Sequence, residues 1–487
     1  MNRGIFPMFH FPCSPDSSYP RGYFVLLVLV FAGVFFTLIS ALSGYIFVEK
    51  RAQLAKENRE KAFYLAEAGL EYYKWFLAHY PDDLQNGTGS VGPYEHTVND
   101  PEGGTLGTFS LNITGDTLCG ALSSVTIEST GWAAADPVYK RTVSANYVRP
   151  SVAEFSHIVD ENVWAGDDRI INGPYHSNQG VRMDGTHNAT VSSGVTNWLC
   201  TSSFGCSPSQ TVDGVFGGGG PSELWQFPVP QVDFNGITLD LDTLENYAQN
   251  EGGIYYGQAG GQSNRRGYHA IFNANGTVTI YRVTNTTPVY SYSINEGWEY
   301  EYNLISNQTL LGTFDIPDTC PVLFFKDRLW VEGVVSGKVV VASANISSST
   351  YDTDIVLNGN ISYATGSGTD GAAFIAERDV LVGLVVPNTM SINGVFIAQT
   401  GKFGRNHYST SYLSSSLDQY VTRSALNTLG TVVSKGRVGT KWTSGGSFVS
   451  GFSQRTDSYD AQLASNPPPF LPAISDDYVF RLWQEGN

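Results

Sequence analysis

A stretch of 26 residues without a single charge, from Tyr23 to Val48, constrains this chain more than any other feature. As a helix rising about 1.5 Å per residue it would reach about 39 Å, which is enough to cross a bilayer with some tilt. No proline follows before Pro81, so one helix can continue to Tyr80, about 87 Å in all. The sequence therefore predicts a helix that enters a membrane and extends well beyond it.

Beyond Glu49 the pattern becomes amphipathic, over residues 49–80. Small and aromatic residues spaced three, four or seven apart share one face of the helix: Ala55, Ala62, Ala66, Gly69, Tyr73, Leu77 and Tyr80. Such a face can pack on the chain's own domain, against neighbouring subunits, or on both along different parts of the helix. We favour packing on its own domain.

The flanking charges bear on the orientation of the apolar segment. Two basic residues precede it, Arg3 and Arg21, whereas five follow closely: Lys50, Arg51, Lys56, Arg59 and Lys61. Counting Lys and Arg alone would place the C-terminal side in the cytoplasm. The rest of the chain is Gly- and Asn-rich β sequence with cysteines in loops, which suits an extracytoplasmic location. We therefore expect the C-terminal part to lie outside the cytoplasm.

Composition favours a turn-rich β protein of two to four domains. Among 487 residues there are 52 glycines, aromatic residues make up 13% and charged residues only 15%. The formal charge of −17 argues against a nucleic-acid-binding surface, which needs clustered Lys and Arg. We expect no cofactor and no nucleic-acid partner.

Alternating apolar and polar residues predict three strands after the helix, over Thr105–Thr114, Val125–Trp132 and Tyr139–Val148. A small antiparallel sheet packed on the helical stripe would bury both. From about residue 155, short apolar runs recur, each followed by Gly or Asn, at spacings typical of the rungs of a β-solenoid; a β-sandwich is the alternative. The predicted fold is thus mainly β, with a long N-terminal α-helix, a small antiparallel sheet and a parallel β-helix-like region.

Three local signals refine the C-terminal region. Asp242, with Glu245 three residues later, predicts the start of a short helix. Asn275-Gly276 between two alternating runs predicts a hairpin with a type I′ turn. The tail from residue 465 contains four prolines, so we expect it to fold back as a cover and not as a strand.

Four of the five cysteines lie beyond the apolar helix, and Cys13 precedes it. Cys200 and Cys206 flank a polar loop and are the best candidates for a disulfide, which leaves Cys119 to pair with Cys320. The alternative is ordinary buried thiols. There is no CxxC with a second ligand pair, so a zinc site is not expected.

Two aspartate pairs, Asp167-Asp168 and Asp352/Asp354, resemble the paired carboxylates of polysaccharide-cleaving β-helices. Neither pair is accompanied by a Gly-His-Gly or an Arg-x-Lys run, so we interpret them as turn residues. Aromatic residues in two segments are the best candidates for sugar or surface contacts, with packing at a strand edge as the ordinary alternative: Trp225 and Phe227 in the first, and Trp298, Tyr300 and Tyr302 in the second.

The N-terminal region resembles type IV prepilins and type II secretion pseudopilins. Arg21-Gly22-Tyr23-Phe24 looks like their cleavage site, and AFYLAEAGLEYYKWFLAHYP is similar to the AEAGL helix of PilX-like minor pilins. The resemblance implies that a prepilin peptidase cuts between Gly22 and Tyr23 and that the helix then packs with other pilin subunits. Most major pilins have a glutamate four residues after the first mature residue, where this chain has Leu27, as some minor components do.

Together these features divide the chain into a prepilin-type leader (1–22), a membrane or filament helix (23–48), its amphipathic continuation (49–80), a pilin-like β head (81–150) and a β-solenoid (151–487) with an inserted subdomain at about 232–318. The favoured function is a minor pilin-like, single-pass component of a type IV filament or related secretion system. Its large β domain would be exposed at the cell surface. There it would serve adhesion, to a carbohydrate or protein ligand, or filament assembly. The alternatives are a membrane-anchored surface protein whose leader is never cut and a carbohydrate-active β-helix enzyme.

Overall fold

The computed structural model describes residues 22–80, 83–148, 150–235, 240–347, 353–366, 368–474 and 479–486. The leader up to Arg21 and one residue of the second aspartate pair, Asp352, lie outside the described residues.

A single helix, α1 (Gly22–His79), begins the described chain and has 58 residues. The prediction of one uninterrupted helix is confirmed. It ends two residues before Pro81, because a residue that precedes proline avoids the helical conformation. Of the predicted stripe, Ala62, Ala66, Tyr73 and Leu77 are fully buried within the protein. The stripe therefore packs on the chain's own domain over this part of the helix.

Four antiparallel strands follow and lie against the C-terminal third of α1: β1 (Tyr94–Asn99), β2 (Thr105–Leu118), β3 (Ala121–Ala133) and β4 (Asp136–Val148). The three predicted strands are confirmed, with longer bounds, and β1 was not predicted. One apolar core joins the helix to the sheet, with Leu70, Phe109, Ile127 and Val143 among its members.

The chain then forms short strands joined by turns: β5 (His157–Val159), β6 (Val163–Ala165), β7 (Arg169–Asn172), β8 (Tyr175–Ser177), β9 (Val181–Met183), β10 (Thr186–His187), β11 (Val191–Ser193), β12 (Asn197–Cys200), β13 (Gln210–Asp213), β14 (Val215–Phe216) and β15 (Trp225–Gln226). Apart from the β12–β13 hairpin, these strands pair in parallel with strands of neighbouring coils. This is the pairing of a solenoid.

A helix and a long hairpin follow: α2 (Leu241–Asn250), β16 (Ile254–Tyr256), β17 (Gly267–Asn273), β18 (Thr277–Ser293) and β19 (Gly297–Asp315). The N-cap of α2 is Asp240 and not Asp242 as predicted, because burial of Leu241, Leu244 and Ala248 fixes the phase of the helix two residues earlier. The β17–β18 hairpin is confirmed. Its loop has three residues, and of these Gly276 alone has a positive φ. A type I′ turn has two central residues, both with a positive φ, so the type I′ prediction was wrong.

The second half of the solenoid contains β20 (Val322–Phe325), β21 (Leu329–Val335), β22 (Lys338–Ser343), β23 (Ile355–Tyr363), β24 (Gly371–Ala376), β25 (Val380–Val382), β26 (Thr389–Ala398), β27 (Phe403–Gly404), β28 (Thr422–Ser434), β29 (Lys441–Ser444) and β30 (Ser447–Ser458). Pairing between coils is again parallel, which confirms the solenoid over the β-sandwich alternative. Inward side chains stack as ladders; the rings of Phe374 and Phe396, for example, are 5.5 Å apart and nearly parallel.

The two halves of the solenoid meet in the middle of the stack. One continuous ladder runs in the order β15-β11-β8-β5-β28-β26-β24-β22-β20-β16, so its two ends are strands that are consecutive in the chain. We call the junction of β5 with β28, and of β7 with β30, the seam. The two halves of the solenoid are therefore joined by pairing between the first strands of the solenoid in sequence and the last ones.

After the seam, α3 (Ala461–Ser465) leads to the last strand, β31 (Val479–Glu485). This strand pairs antiparallel with β4, so the small sheet has the order β1-β2-β3-β4-β31 and is called the head sheet below. The prediction that the tail forms no strand was wrong, since all four prolines of the tail precede β31. The chain thus leaves the head sheet from β4 and returns beside the same strand.

Candidate functional sites

Small residues set the approach of α1 to the head sheet. A Cβ on Gly131 would lie 2.3 Å from the carbonyl oxygen of Ala62 and 2.4 Å from the backbone nitrogen of Ala66. On the helix side, a Cβ on Gly69 would lie 2.2 Å from Ser129 Oγ. Close backbone contact of this kind requires glycine or alanine on both elements. The small residues of the AEAGL segment thus have a packing role within this chain.

Within the described part of the chain, no sheet covers the N-terminal segment of α1. The large apolar side chains from Tyr23 to Val48 are exposed, with Tyr23 at 77% and Leu27 at 50%. A patch this long exceeds what a soluble monomer exposes and indicates a membrane or protein neighbour. The helix is long and apolar enough to cross a membrane. The covered C-terminal third and the bare apolar segment are therefore separate surfaces of one helix.

The predicted cleavage junction lies at the start of the described helix. Gly22 is its first residue and Tyr23 its second, while Arg21 lies outside the described residues. Cleavage between Gly22 and Tyr23 stays a prediction.

Both proposed cysteine pairs are bonded in the structure. Cys119, in the β2–β3 turn, is joined to Cys320, just before β20, across 201 residues of sequence. Cys200 and Cys206 close a loop six residues apart. The first bond connects the head sheet to the solenoid, and the second holds one solenoid loop.

The candidate carboxylates bind basic side chains. Asp168 accepts from Arg455 Nε and Nη2 at 2.8 and 2.9 Å and from Lys441 Nζ at 2.9 Å. Burial would raise the pKa of Asp168, but Arg455 and Lys441 outweigh it and hold that pKa below its usual value. Asp354 accepts from Nε and Nη2 of Arg378, at 2.8 and 2.7 Å. Within the described ranges there is no cluster of metal-ligating side chains.

The aromatic candidates divide into two groups. Trp225 is half-buried and donates from Nε1 to His187 Nε2 at 2.9 Å, and Phe227 packs on the solenoid core. Trp298 instead lies in an exposed cluster, with ring centres 5.0 Å from Tyr412 and 5.7 Å from Tyr292. Of these two candidate groups, the second, on the β18–β19 hairpin, is the one with exposed rings: Trp298 is 41% and Tyr300 60% exposed.

The structure also contains a cavity of about 420 Å³ at the corners of the coils, beside that aromatic cluster. Its lining includes the candidate Asp168 and residues that the sequence reasoning missed, among them Tyr292, Arg437, Lys441 and Trp442. The available signal was the segment 435–442, where three basic residues and a tryptophan occur in a chain that is otherwise poor in charge.

No protein-family model matches this sequence, and no curated protein matches it. Among solved structures, the chain is similar to the competence-associated pilin ComZ from Thermus thermophilus, with 14% identity and a TM-score of 0.27 over 88% of this chain and 97% of that one. A TM-score this low does not establish a common fold.

Proposed function

We propose that this chain is a minor subunit of a type IV filament or a related secretion system, anchored by α1 and carrying the solenoid as a surface-exposed domain. The supporting observation is the division of one 58-residue helix into a C-terminal third that packs on an antiparallel sheet and an apolar N-terminal segment, Tyr23 to Val48, that is bare. A pure membrane anchor needs only about 20 apolar residues and no rigid continuation into a folded domain. A filament subunit needs both, because its helix must hold the head at a fixed distance from its neighbours.

Leu27 favours a specialised subunit over a repeating one. Its side chain is apolar and half exposed on the bare part of the helix. A glutamate at that depth would have to be paired to offset its desolvation, and a leucine has no such requirement. Subunits that lack the acid therefore suit positions where one contact between neighbouring N-termini is missing, such as the start or tip of a filament.

The proposed processing is tested by sequencing the N-terminus of the protein isolated from its native host. We expect a mature start at Tyr23. Replacing the residue before the cut, Gly22→Val, should leave the leader attached. The matched control is Gly33→Val, at a glycine of the same helix where an added Cβ would have no atom within 4 Å, and this variant should still be processed. A wild-type chain that retains Met1 would contradict the filament assignment and favour an uncut surface anchor.

Location is tested separately from processing. A cysteine-reactive, membrane-impermeant probe applied to intact cells should label Val138→Cys, since Val138 is 81% exposed on the head sheet. In the uncut Gly22→Val variant, the same probe should not label Cys13 of the leader unless the cells are lysed. The reverse pattern would place the C-terminal part in the cytoplasm, as the count of flanking basic residues suggests.

A further inference from the structure

The cavity of about 420 Å³ spans the seam of the solenoid. Trp164, Asp167 and Asp168 come from the first half of the solenoid, whereas Arg437, Lys441 and Trp442 come from the second half. The tip of the β18–β19 hairpin contributes Tyr292 and Ile294, and the loop closed by Cys200–Cys206 contributes Ser202 and Ser203. Its volume is in the range of small-molecule sites, and separate parts of the chain converge on it.

The lining is basic, in a protein whose overall charge is −17. It contains five basic residues, Lys402, Arg405, Arg437, Lys441 and Arg455, against two acidic ones, Asp167 and Asp168. Asp168 is shared by Arg455 and Lys441, so a single carboxylate balances two cations. The guanidinium of Arg405 donates to the carbonyls of Leu384 and Tyr420. Lys402 is paired with Glu296 at 3.6 Å. Without Arg405 and Lys402, the lining still has three basic residues against two acidic ones.

Arg437 is the cation best placed to bind a ligand. It is half-buried, its guanidinium stacks 4.1 Å over the ring of Phe204, and its Nη2 donates to Ser203 O at 3.0 Å. Within the described residues it makes no ion pair of 4.0 Å or less; burial lowers the pKa of its guanidinium, and the charge of Glu161 opposes this from further away. A half-buried guanidinium that is oriented by an aromatic ring and a carbonyl retains free donors for a planar anion.

Aromatic rings extend from the cavity to the surface. The rings of Trp442 and Tyr292 are 5.6 Å apart and perpendicular, and Tyr292 is followed by Trp298 at 5.7 Å. Trp164 also lines the cavity, with the guanidinium of Arg182 at 4.4 Å over its ring. Indole and phenol faces are suited to the C–H faces of sugar rings, because these faces are apolar while their edges carry hydroxyl groups.

We propose that this cavity binds an acidic saccharide, with the carboxylate of a sugar residue held by Arg437 and Lys441 and the sugar ring placed against Trp442 and Tyr292. The proposal depends on the proposed function only for where the ligand is met, at the cell surface. Binding and processing are measured independently, so the failure of one leaves the other standing.

Charge distribution favours a short acidic saccharide over a nucleic acid strand. Single-stranded DNA also uses cations and stacked aromatic rings, but it needs a track of basic residues along several nucleotides. Here the basic residues line one small cavity of the solenoid, and the chain as a whole carries a formal charge of −17. A long polyanion is repelled outside the cavity, whereas one carboxylate on a sugar is not.

The test measures binding to the full-length protein in detergent, by quenching of tryptophan fluorescence. The probes are trigalacturonate and 3′-sialyllactose, with lactose as the neutral comparison and oligothymidylate as the nucleic acid comparison. We expect saturable binding of at least one acidic saccharide, weakened by salt. Arg437→Gln should weaken it about tenfold or more, since a charge-assisted bidentate pair is lost, and Arg437→Lys should weaken it less.

The matched control is Arg282→Gln, at an exposed arginine of β18 that does not line the cavity, and it should bind as the wild type does. Trp298→Ala, outside the cavity, should weaken binding less than Arg437→Gln. Circular dichroism of each variant checks that the solenoid is folded. Equal binding of lactose, Arg437-dependent binding of oligothymidylate alone, or no binding of either acidic probe would each overturn the proposal.

Discussion

His157 on β5 is the parallel partner of Val432 on β28, 275 residues later in the chain. This pair lies at the seam, where the first coils of the solenoid stack on the last ones. His157 is fully buried there, stacked 5.0 Å from the ring of Tyr175. Its Nε2 accepts from Arg169 Nη2 at 2.8 Å, and Arg169 also donates to Asp457. A buried ionisable network thus connects the two halves of the solenoid.

This network predicts that the seam is sensitive to acid. Burial lowers the pKa of His157 to about 3, with Arg169 adding to the effect and Asp457 opposing it, against about 6.5 in the unfolded chain. Between these values the unfolded chain binds the extra proton, so the stabilisation is complete above pH 6.5 and is lost as the pH falls toward 3. His157→Gln should reduce the number of protons taken up on unfolding by up to one. The denaturant midpoint of this variant should therefore depend less steeply on pH between pH 7 and 4.5.

The control for this prediction is His79→Gln, at an exposed histidine at the end of α1. It should leave the pH dependence as it is in the wild type. An unchanged slope in the His157 variant would mean that other groups cause the loss of stability in acid.

A second prediction concerns the contact of α1 with the head sheet. Gly131→Ala places a Cβ against backbone atoms of Ala62 and Ala66, which cannot move aside without shifting the helix. We expect a loss of roughly 1–3 kcal/mol in the free energy of unfolding of the head, typical of overpacking. Thermal unfolding followed by near-ultraviolet circular dichroism measures it. Gly257→Ala, at a glycine with no atom within 4 Å of a new Cβ, should change stability little; equal loss in both variants would refute the packing argument.

The two disulfides should differ in what their removal does. Cys119–Cys320 closes 201 residues, so its loss restores far more freedom to the unfolded chain than loss of the six-residue Cys200–Cys206 loop. Replacing the first pair with serine should cost roughly 2–5 kcal/mol, measured as a shift in denaturant midpoint.

Replacing Cys200 and Cys206 with serine should cost less stability than the first pair, yet weaken saccharide binding, because Ser202 and Ser203 line the cavity. Four free thiols in the exported protein would contradict both parts of this prediction. Equal stability losses in the two double variants would contradict the argument from loop length.

Much of the fold follows from local patterns. The charge-free run and the absence of proline predict α1 to within a residue or two, and alternation predicts three strands of the head sheet. These features depend on neighbours in sequence. Strand β1, with the sequence YEHTVN, alternates too weakly to stand out, and its place at the sheet edge is fixed by pairing with β2.

The seam and the cavity could not be read from the sequence. The pairing of His157 with Val432 depends on which coils stack, and no local pattern encodes that choice. The cavity is assembled from turns of several coils, so Arg437 and Trp164 become neighbours of one site only in the folded chain. The Trp298 segment was identified from its aromatic content, but its relation to the basic residues was not.

The return of β31 to β4 has a mechanical consequence. Val148, where the chain leaves the head sheet, is the antiparallel partner of Val479, where it comes back. A pull on the solenoid therefore loads two adjacent strands from the same end and in the same direction, while Cys119–Cys320 carries part of the load along a third route. A pull along the strands would shear the hydrogen bonds of the β3–β4 ladder together and would not open them one after another. Drag on anything held by the solenoid would reach the rigid α1 without first peeling the head apart.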